Sequence, residues 1–557
     1  MQRMIIGVSP LDEYVRYKSL FDALEELFPV TFERRNLEDL SDANAFVLFD
    51  GTRETAHPVA ALGVDCFVVQ APSGQAIYCH VSTVQFAETA ALPMCLRGES
   101  LSEVENREFV PIACFQGEQV MALKGGEIIW THRPASHGQG RIDFVSLPPP
   151  LLTDKEYLSG FFNRTSFLRL LPLITFLQRL SEGRGWDTPP LKACLVFDDP
   201  NLRWTNYGCL DYQQLVRHAR DRNYHAAIAT VPIDGWWVNS RASSLFRDLT
   251  TPLSLVIHGN DHTRREMARP VSDPQSLATL AQALRRVGKF ESRHMLDVCR
   301  VLEPPHGVID ARMFNALVSL GYEAALVTFS QFLQYNKDTQ FPKEIGLDVA
   351  ACLPGGLCMI PRITMAPGWR TEVLLAAFLG QPLVIACHHY DAADGLRLVE
   401  EAATTINRLG VVEWSNLATL ARANYRSRRG ENTLVVRMGG RRIALSVPEG
   451  VRAIRVERPW LKNGAQEPLV LKAGDEEFSK GVFGGVSTVI ASPSASRVEI
   501  LSPVPVVDAA TVSPPRTRLW PFLRRALTEA RDRAYPFVPS AWTRRSSTTR
   551  QRWKETV

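Results

Sequence analysis

The chain alternates short apolar runs with stretches of helical period, and the character of that alternation changes three times along its length. Over residues 1–150 the runs MIIGVS, AFVLFD, CFVVQA and EIIWTH read as strands, while YKSLFDALEELF places Leu20, Leu24 and Leu27 on one helical face. This predicts a small N-terminal α/β domain. It holds no glycine-rich phosphate loop and no nucleophile elbow, so the residues offer it only a packing or binding role. LPPPLL at 147–152 interrupts regular structure, because proline lacks the amide donor and fixes φ. Residues 151–190 are then expected as a linker with a helical stretch around 156–182.

From Leu191 the alternation becomes regular. LKACLVFDD, HAAIATVPI, LSLVIHGND, MLDVCRVLEPP, EAALVTF, GLCMIPRI and PLVIACHHYD are strand candidates, and YQQLVRHARDR, SLATLAQALRRV, ARMFNALVSLG and LVEEAATTINRLG are amphipathic helices between them. Strands that are apolar on both faces need a sheet covered on both sides. About seven strand–helix repeats therefore predict an α/β fold with a (β/α)7-like barrel over 191–425. After Tyr425 the helical period stops. NTLVVRM, RRIALSV, AIRVER, EPLVLKA, STVIAS and SRVEIL predict a small β-sandwich over about 430–505, with 506–557 left as a basic, proline-interrupted tail.

The composition of the 557 residues, 45% hydrophobic and 22% charged, is that of a globular multidomain protein. The net charge of +4 hides an asymmetry: residues 516–557 hold eleven Lys/Arg against Glu529, Asp532 and Glu555, so the tail is +8 and the remainder −4. Arginines beside Trp520, Phe522, Trp542 and Trp553 suit contact with an anionic membrane surface. The plainer expectation is a solvated, partly disordered tail, and the acidic remainder argues against nucleic acid as a partner. The ten cysteines form no CxxC pair, and Cys194, Cys299 and Cys387 fall inside apolar runs, as reduced core residues do. The opening MQRMIIGVSPLDEY is too short in apolar residues for a secretory signal, and no run reaches the roughly twenty apolar residues of a membrane span. A cytoplasmic location follows as the expectation, with membrane association through the tail as its variant.

The chemistry collects at strand ends. LKACLVF runs into Asp198-Asp199, two adjacent carboxylates that repel unless a cation compensates them; an Asp pair opening a helix would be the structural alternative. LSLVI ends in His258-Gly259-Asn260-Asp261-His262, where two imidazoles four residues apart share one face if the turn is helical. One Asp and two His leave open positions on a borderline metal such as zinc. A third strand ends in Glu303-Pro304-Pro305-His306-Gly307, and a late one in His388-His389-Tyr390-Asp391. A histidine across the mouth from the metal would be a natural general acid, though each of the pair could instead be a satisfied structural residue.

In this order, the Asp pair, the HxxxH, the Pro-Pro motif and the late His resemble the polysaccharide deacetylase family, carbohydrate esterase family four with its nodulation-deacetylase homology domain, over roughly 190–425. The resemblance implies a metal-dependent hydrolase that removes N-acetyl groups from a sugar or polysaccharide precursor. It implies Asp198 as catalytic base, Asp199, His258 and His262 as ligands of a divalent metal, zinc above all, and His388 or His389 as the acid. It also implies Glu303, Pro305, His306 and Arg362 as substrate-side residues. The chain departs from the family pattern at three places. Glu303 stands where the family has an arginine that orients the base, Pro200 where it has Gly, and Gly259 where it has Ser or Thr. Arg300 and Arg362 are the candidates to supply that guanidinium from elsewhere. Without a signal peptide, a lipid-linked or soluble acetylated intermediate fits better than a finished polymer. The competing reading is a non-catalytic carbohydrate-binding or scaffold protein with a deacetylase-like barrel, which Glu303 favours and the intact Asp and His set disfavours.

Overall fold

The structure, a computed structural model, describes residues 3–537 except 39, 41, 72–75, 79–82, 105–107, 249, 264, 269–271, 463, 491–495 and 517. The first 145 residues build a nine-stranded mixed sheet. Its order is Val30–Arg34, Met4–Ser9, Ala45–Gly51, Asp65–Gln70, Ile142–Val145, Glu127–Arg133, Gln119–Lys124, Thr83–Phe86 and Ser100–Ser102. The first five strands run parallel and the rest antiparallel. Helix Lys18–Leu27 turns Leu20, Leu24 and Leu27 into the core, as its 3.6-residue spacing requires.

Helix α1, Leu171–Leu180, has seven consecutive buried residues from Leu171 to Leu177, so it is apolar all round and lies inside the protein. Phe176 meets Phe67 of the first sheet with the rings tilted at 53° and their centroids 5.6 Å apart. Beside it, Arg179 donates to Asp143 at 2.5 Å, and His132 lies 3.2 Å from the same carboxylate. Burial alone would raise the Asp143 carboxyl, but Arg179 and His132 hold it far below its ordinary value.

The central sheet carries the regular repeats. Its parallel strands are β1 Leu191–Asp198, β2 Ala226–Thr230, β3 Leu253–His258, β4 Val298–Glu303, β5 Ala324–Val327, β6 Leu357–Pro361, β7 Ile363–Thr364 and β8 Leu383–His388. The hydrogen-bonded order is β6-β5-β4-β3-β2-β1-β8-β7, with Cys352–Leu353 added antiparallel beside β6 and Val412–Trp414 beside β1. β6 and β7 stand near opposite ends of that order, yet only Arg362 separates them in the chain. The sheet must therefore curl until its ends nearly meet, and Arg362 sits at the seam. Alternate strand residues feed two clusters, Leu195, Ile228, Leu255 and Ile385 on one side, Val196, Ala227, Val256 and Val384 on the other. Cys194 and Cys387 are buried and free, and Cys299 is free and half-buried.

After Tyr425 two four-stranded sheets enclose a separate core of Leu434, Val436, Ile454, Leu469 and Ile500. Thr433–Met438 alternates buried and half-buried residues without exception, the signature of a strand with one covered face. Part of the basic segment that follows is folded, while residues 538–557, with Trp542 and Trp553, lie outside the described residues. Helix α2, Asp273–His294, lies earlier in the chain, and a last helix, α3, Leu519–Ala534, covers the carboxyl edge of the central sheet with Pro521, Arg525, Glu529 and Asp532 buried. Among the described residues no helix is long and apolar enough to cross a membrane.

Two stability outcomes follow. Arg179→Leu strands a fully buried carboxylate and should destabilise the protein by about 3–5 kcal/mol. Thermal melting should show the loss, and Asp143→Leu in the same chain should reverse most of it. The second concerns His225, whose imidazole meets the Ser254 hydroxyl at 2.9 Å and is pushed down to about 4 by burial. Because the unfolded chain takes up that proton first, its contribution is full above about pH 6.5 and is lost as pH falls toward 4, by about 3 kcal/mol at most. His225→Gln should flatten that part of the stability–pH curve measured by denaturant unfolding.

Candidate metal centre

The strand register brings the ionisable groups to one level. Asp198 pairs with His388 across β1 and β8, and His258 pairs with Glu303 across β3 and β4. Asp198, His258 and Glu303 are buried, at 3%, 1% and 0% exposure. Two carboxylates in such a place require positive charge. Arg362 supplies it from the seam, donating to Asp198 Oδ2 at 2.7 Å and to Glu303 Oε1. Arg300 does not contribute: it pairs with Glu291 on α2, away from the mouth. Asp198 Oδ1 has no hydrogen-bond partner among the described residues.

Asp199 follows with φ +81, a left-handed conformation that costs a non-glycine residue about 1–3 kcal/mol and persists only where the surroundings fix it. Its Oδ1 lies 3.3 Å from His262 Nε2. One ligand atom each from Asp199, His258 and His262 fall within 4.8 Å of one another. His258 Nδ1 donates to the Glu303 carbonyl at 3.0 Å, since a carbonyl can only accept, and this leaves Nε2 free for a cation. Burial pushes both imidazoles down to about 3, so both are neutral, as metal ligands must be. Burial would raise the Asp199 carboxyl, but His262 and Arg525 beside it hold it well below its usual range. The donor set of one carboxylate and two neutral imidazoles fits a divalent metal. Asp198, His258 and Glu303 also converge, but Arg362 already occupies both of those carboxylates.

The HxxxH segment is not a helical turn. Gly259 and His262 have φ +61 and +53, and the rings meet at 4.9 Å because the loop folds back. Glu266 holds that loop by accepting from the backbone N–H groups of Asn260, Asp261 and His262 at 2.8, 3.1 and 3.0 Å. Any Cβ at position 259 would lie 2.1 Å from Glu266 Oε1 and 2.7 Å from Pro305, which explains the glycine. Pro305 is thus part of the loop's wall. His306 lies at the surface with its ring 5.7 Å from that of His262. Of the late pair, His388 is close enough for its charge to bear on Asp199. His389 turns away, buried among Tyr207, Tyr390 and Tyr535 with Nε2 3.5 Å from Asp532 of α3.

Helix α3 covers this constellation. Arg525 donates to Asp199 Oδ1 at 2.8 Å and to Asp234 Oδ2 at 2.7 Å, and only 2% of it is exposed. Arg524 lies 3.3 Å from His262 Nδ1. Glu529 accepts from Arg203 at 2.6 Å and Asn201 at 3.0 Å, and Asp532 accepts from the Tyr207 hydroxyl at 2.9 Å. A guanidinium thus neutralises the carboxylate that a metal would use. Asp234, Glu266, Arg525 and Tyr207 were not among the residues singled out from the sequence. The legible trace was the spacing of Arg525, Glu529 and Asp532, which share one helical face.

No known family model matches the sequence, and no curated protein matches it. Solved structures similar to this chain include a family 4 carbohydrate esterase from Streptomyces lividans in complex with acetate, at 14% identity, covering 42% of this chain and 94% of that one with TM-score 0.26. Another is a peptidoglycan deacetylase from Bacillus subtilis, at 14% identity, 42% and 93% coverage and TM-score 0.24. A third is a family 4 acetyl xylan esterase from Clostridium thermocellum in complex with a cobalt ion, at 13% identity, 41% and 89% coverage and TM-score 0.25.

The two arginines weighed from the sequence are separable by experiment. Arg362→Met should lower stability by about 3–5 kcal/mol, because it leaves Asp198 and Glu303 buried side by side. Adding Glu303→Gln should recover a good part of that loss. Arg300→Met removes a half-buried pair with Glu291 that leaves no charge in the sheet edge and should cost only about 1 kcal/mol.

Proposed function

We propose that the chain is a metal-dependent hydrolase that removes N-acetyl groups from a sugar or polysaccharide precursor, with α3 withdrawn from the mouth during turnover. The observation that carries this reading is the convergence of Asp199, His258 and His262 beside Asp198, whose Oδ1 accepts no hydrogen bond among the described residues. A divalent metal held there, with zinc the best match to the donors, would supply Lewis-acid charge to an amide carbonyl and ease deprotonation of water. Asp198 is the proton acceptor: Arg362 fixes Oδ2, so Oδ1 presents its lone pair in one direction. His388 is the group placed to return a proton to the departing amine, because it stands beside Asp198 in register while His389 is engaged with Asp532. Arg362 takes the orienting role at the base that position 303 leaves vacant, and Glu303 is its counter-charge rather than a direct contact of substrate. Pro305 and His306 line the approach.

A second reading has its own observation. Arg525 already compensates Asp199, so a chain used only for binding would be stable without metal. The two readings separate on metal uptake. Under the hydrolase reading, protein incubated with zinc or cobalt should retain about one equivalent by elemental analysis, and Asp199→Ala and His258→Ala should abolish it. Arg525→Ala removes the competing guanidinium and should tighten metal binding about 10-fold or more, since two cations that exclude each other at one carboxylate are coupled reciprocally. The loaded Arg525→Ala protein should then release acetate from N-acetylated sugar oligomers. A protein that takes up no metal in any of these forms would overturn the hydrolase reading and leave the binding one.

A further inference from the structure

Helix α3 is inside out. A helix lying on a protein in water keeps its apolar face inward and its charges outward. Here Arg525, Glu529 and Asp532 are buried, while Leu519, Leu523 and Leu527 are 84%, 53% and 59% exposed and Trp520 is 60% exposed. With about 100° per residue, these apolar side chains fall opposite Arg525. The inversion follows from the site beneath: the acidic mouth takes the polar face, so the apolar one is left to the outside.

That face does not stand alone. Arg533 of α3 lies 5.8 Å over the Trp204 ring, and Trp204 meets Trp237 edge to face at 5.6 Å. Arg203, held by Glu529, lies 5.0 Å over Trp236. These three tryptophans are 51%, 42% and 59% exposed in the same order, Trp204, Trp237, Trp236. Single exposed apolar residues are ordinary, but exposed leucines along one helix face with exposed tryptophans packed on the arginines beside that helix mark a place of interaction.

Charge selects the partner. Arg518 and Arg531 border the apolar face, residues 516–557 sum to +8 and the remainder of the chain to −4. A second copy of the chain would set the same exposed arginines, Arg518 and Arg531, against their own kind across a two-fold contact. A layer of anionic headgroups over hydrocarbon complements both features, since tryptophan settles at the lipid–water boundary, leucine below it and arginine at phosphate. We propose that the outward face of α3 and the Trp204–Trp237 rim dock on an anionic lipid bilayer, with α3 lying in the plane of the interface and the acidic bulk of the protein turned away. Resting on the hydrolase reading, this would present the mouth to acetylated sugars anchored in that membrane; the docking itself does not depend on catalysis.

The test is sedimentation of the full chain with vesicles of phosphatidylcholine alone or with about a third phosphatidylglycerol, a content that gives the surface a strongly negative potential. Binding to the anionic vesicles should be at least about tenfold stronger and should weaken as salt is raised. Leu523→Asp with Leu527→Asp, both facing solvent and touching no candidate ligand, should abolish it while metal uptake stays at the parent level. Anionic binding unchanged in that variant would overturn the proposal, because charge elsewhere would then suffice. So would an absence of vesicle binding, or a concentration-dependent dimer that the same substitutions dissolve. Vesicle binding by a protein that takes up no metal would remove the hydrolase reading and leave the docking intact.

Discussion

Burying Asp198, Asp234 and Glu303 at one edge of a sheet, with Asp199 half-buried beside them, is tolerable only where positive charge arrives to meet them, and this requirement organises the rest of the molecule. The chain brings the charge from two distant places. Arg362 comes from the seam where the curled sheet nearly meets itself, and it joins Asp198 to Glu303. Arg525 comes from the end of the described chain and joins Asp199 to Asp234. The first arginine is built into the sheet. The second is carried on a helix held over the sheet edge by its own buried polar contacts, among them Arg525 with Asp234, Glu529 with Asn201 and Asp532 with Tyr207.

The same constraint accounts for the shape of α3. A site that is acidic and lined with imidazole selects arginine and hydrogen-bonding groups for the face that enters it, and a sixteen-residue helix has only one other side. Leu519, Trp520, Leu523 and Leu527 are therefore outside by geometry rather than by accident, and Trp204, Trp236 and Trp237 extend their surface. The electrostatics of the mouth and the apolar character of the outer surface are two consequences of one placement.

The resemblance read from the strand-end motifs and the departures from it meet in these contacts. Glu303, where the resemblance expects arginine, is matched by Arg362 arriving from between β6 and β7, so a guanidinium does stand beside Asp198. Gly259 is matched by Glu266, whose carboxylate fills the space any side chain would need. The substitution at each position makes sense only with its spatial partner.

Much of this was legible in the sequence because the signals are local. A strand buried on both faces must be a continuous apolar run, so LKACLVF and PLVIAC announced themselves, and a charged residue at the end of such a run must lie at the sheet edge. Those two facts marked Asp198, Asp199, His258 and the His388-His389 pair as groups at one sheet edge. What the sequence could not settle depends on which strands become neighbours and how they are staggered. Whether His388 or His389 faces Asp199 turns on the register of β8 against β1, and whether Arg300 or Arg362 reaches Asp198 turns on the curl of the sheet. The part played by Arg525 was invisible for a further reason. It lies 326 residues from Asp199 in the chain, and a basic amphipathic segment reads the same whether its charges face water or a buried carboxylate. Local pattern determined the strands, helices and reactive edge; only the tertiary structure decided which charge meets which, because long-range pairing leaves no periodicity in a sequence.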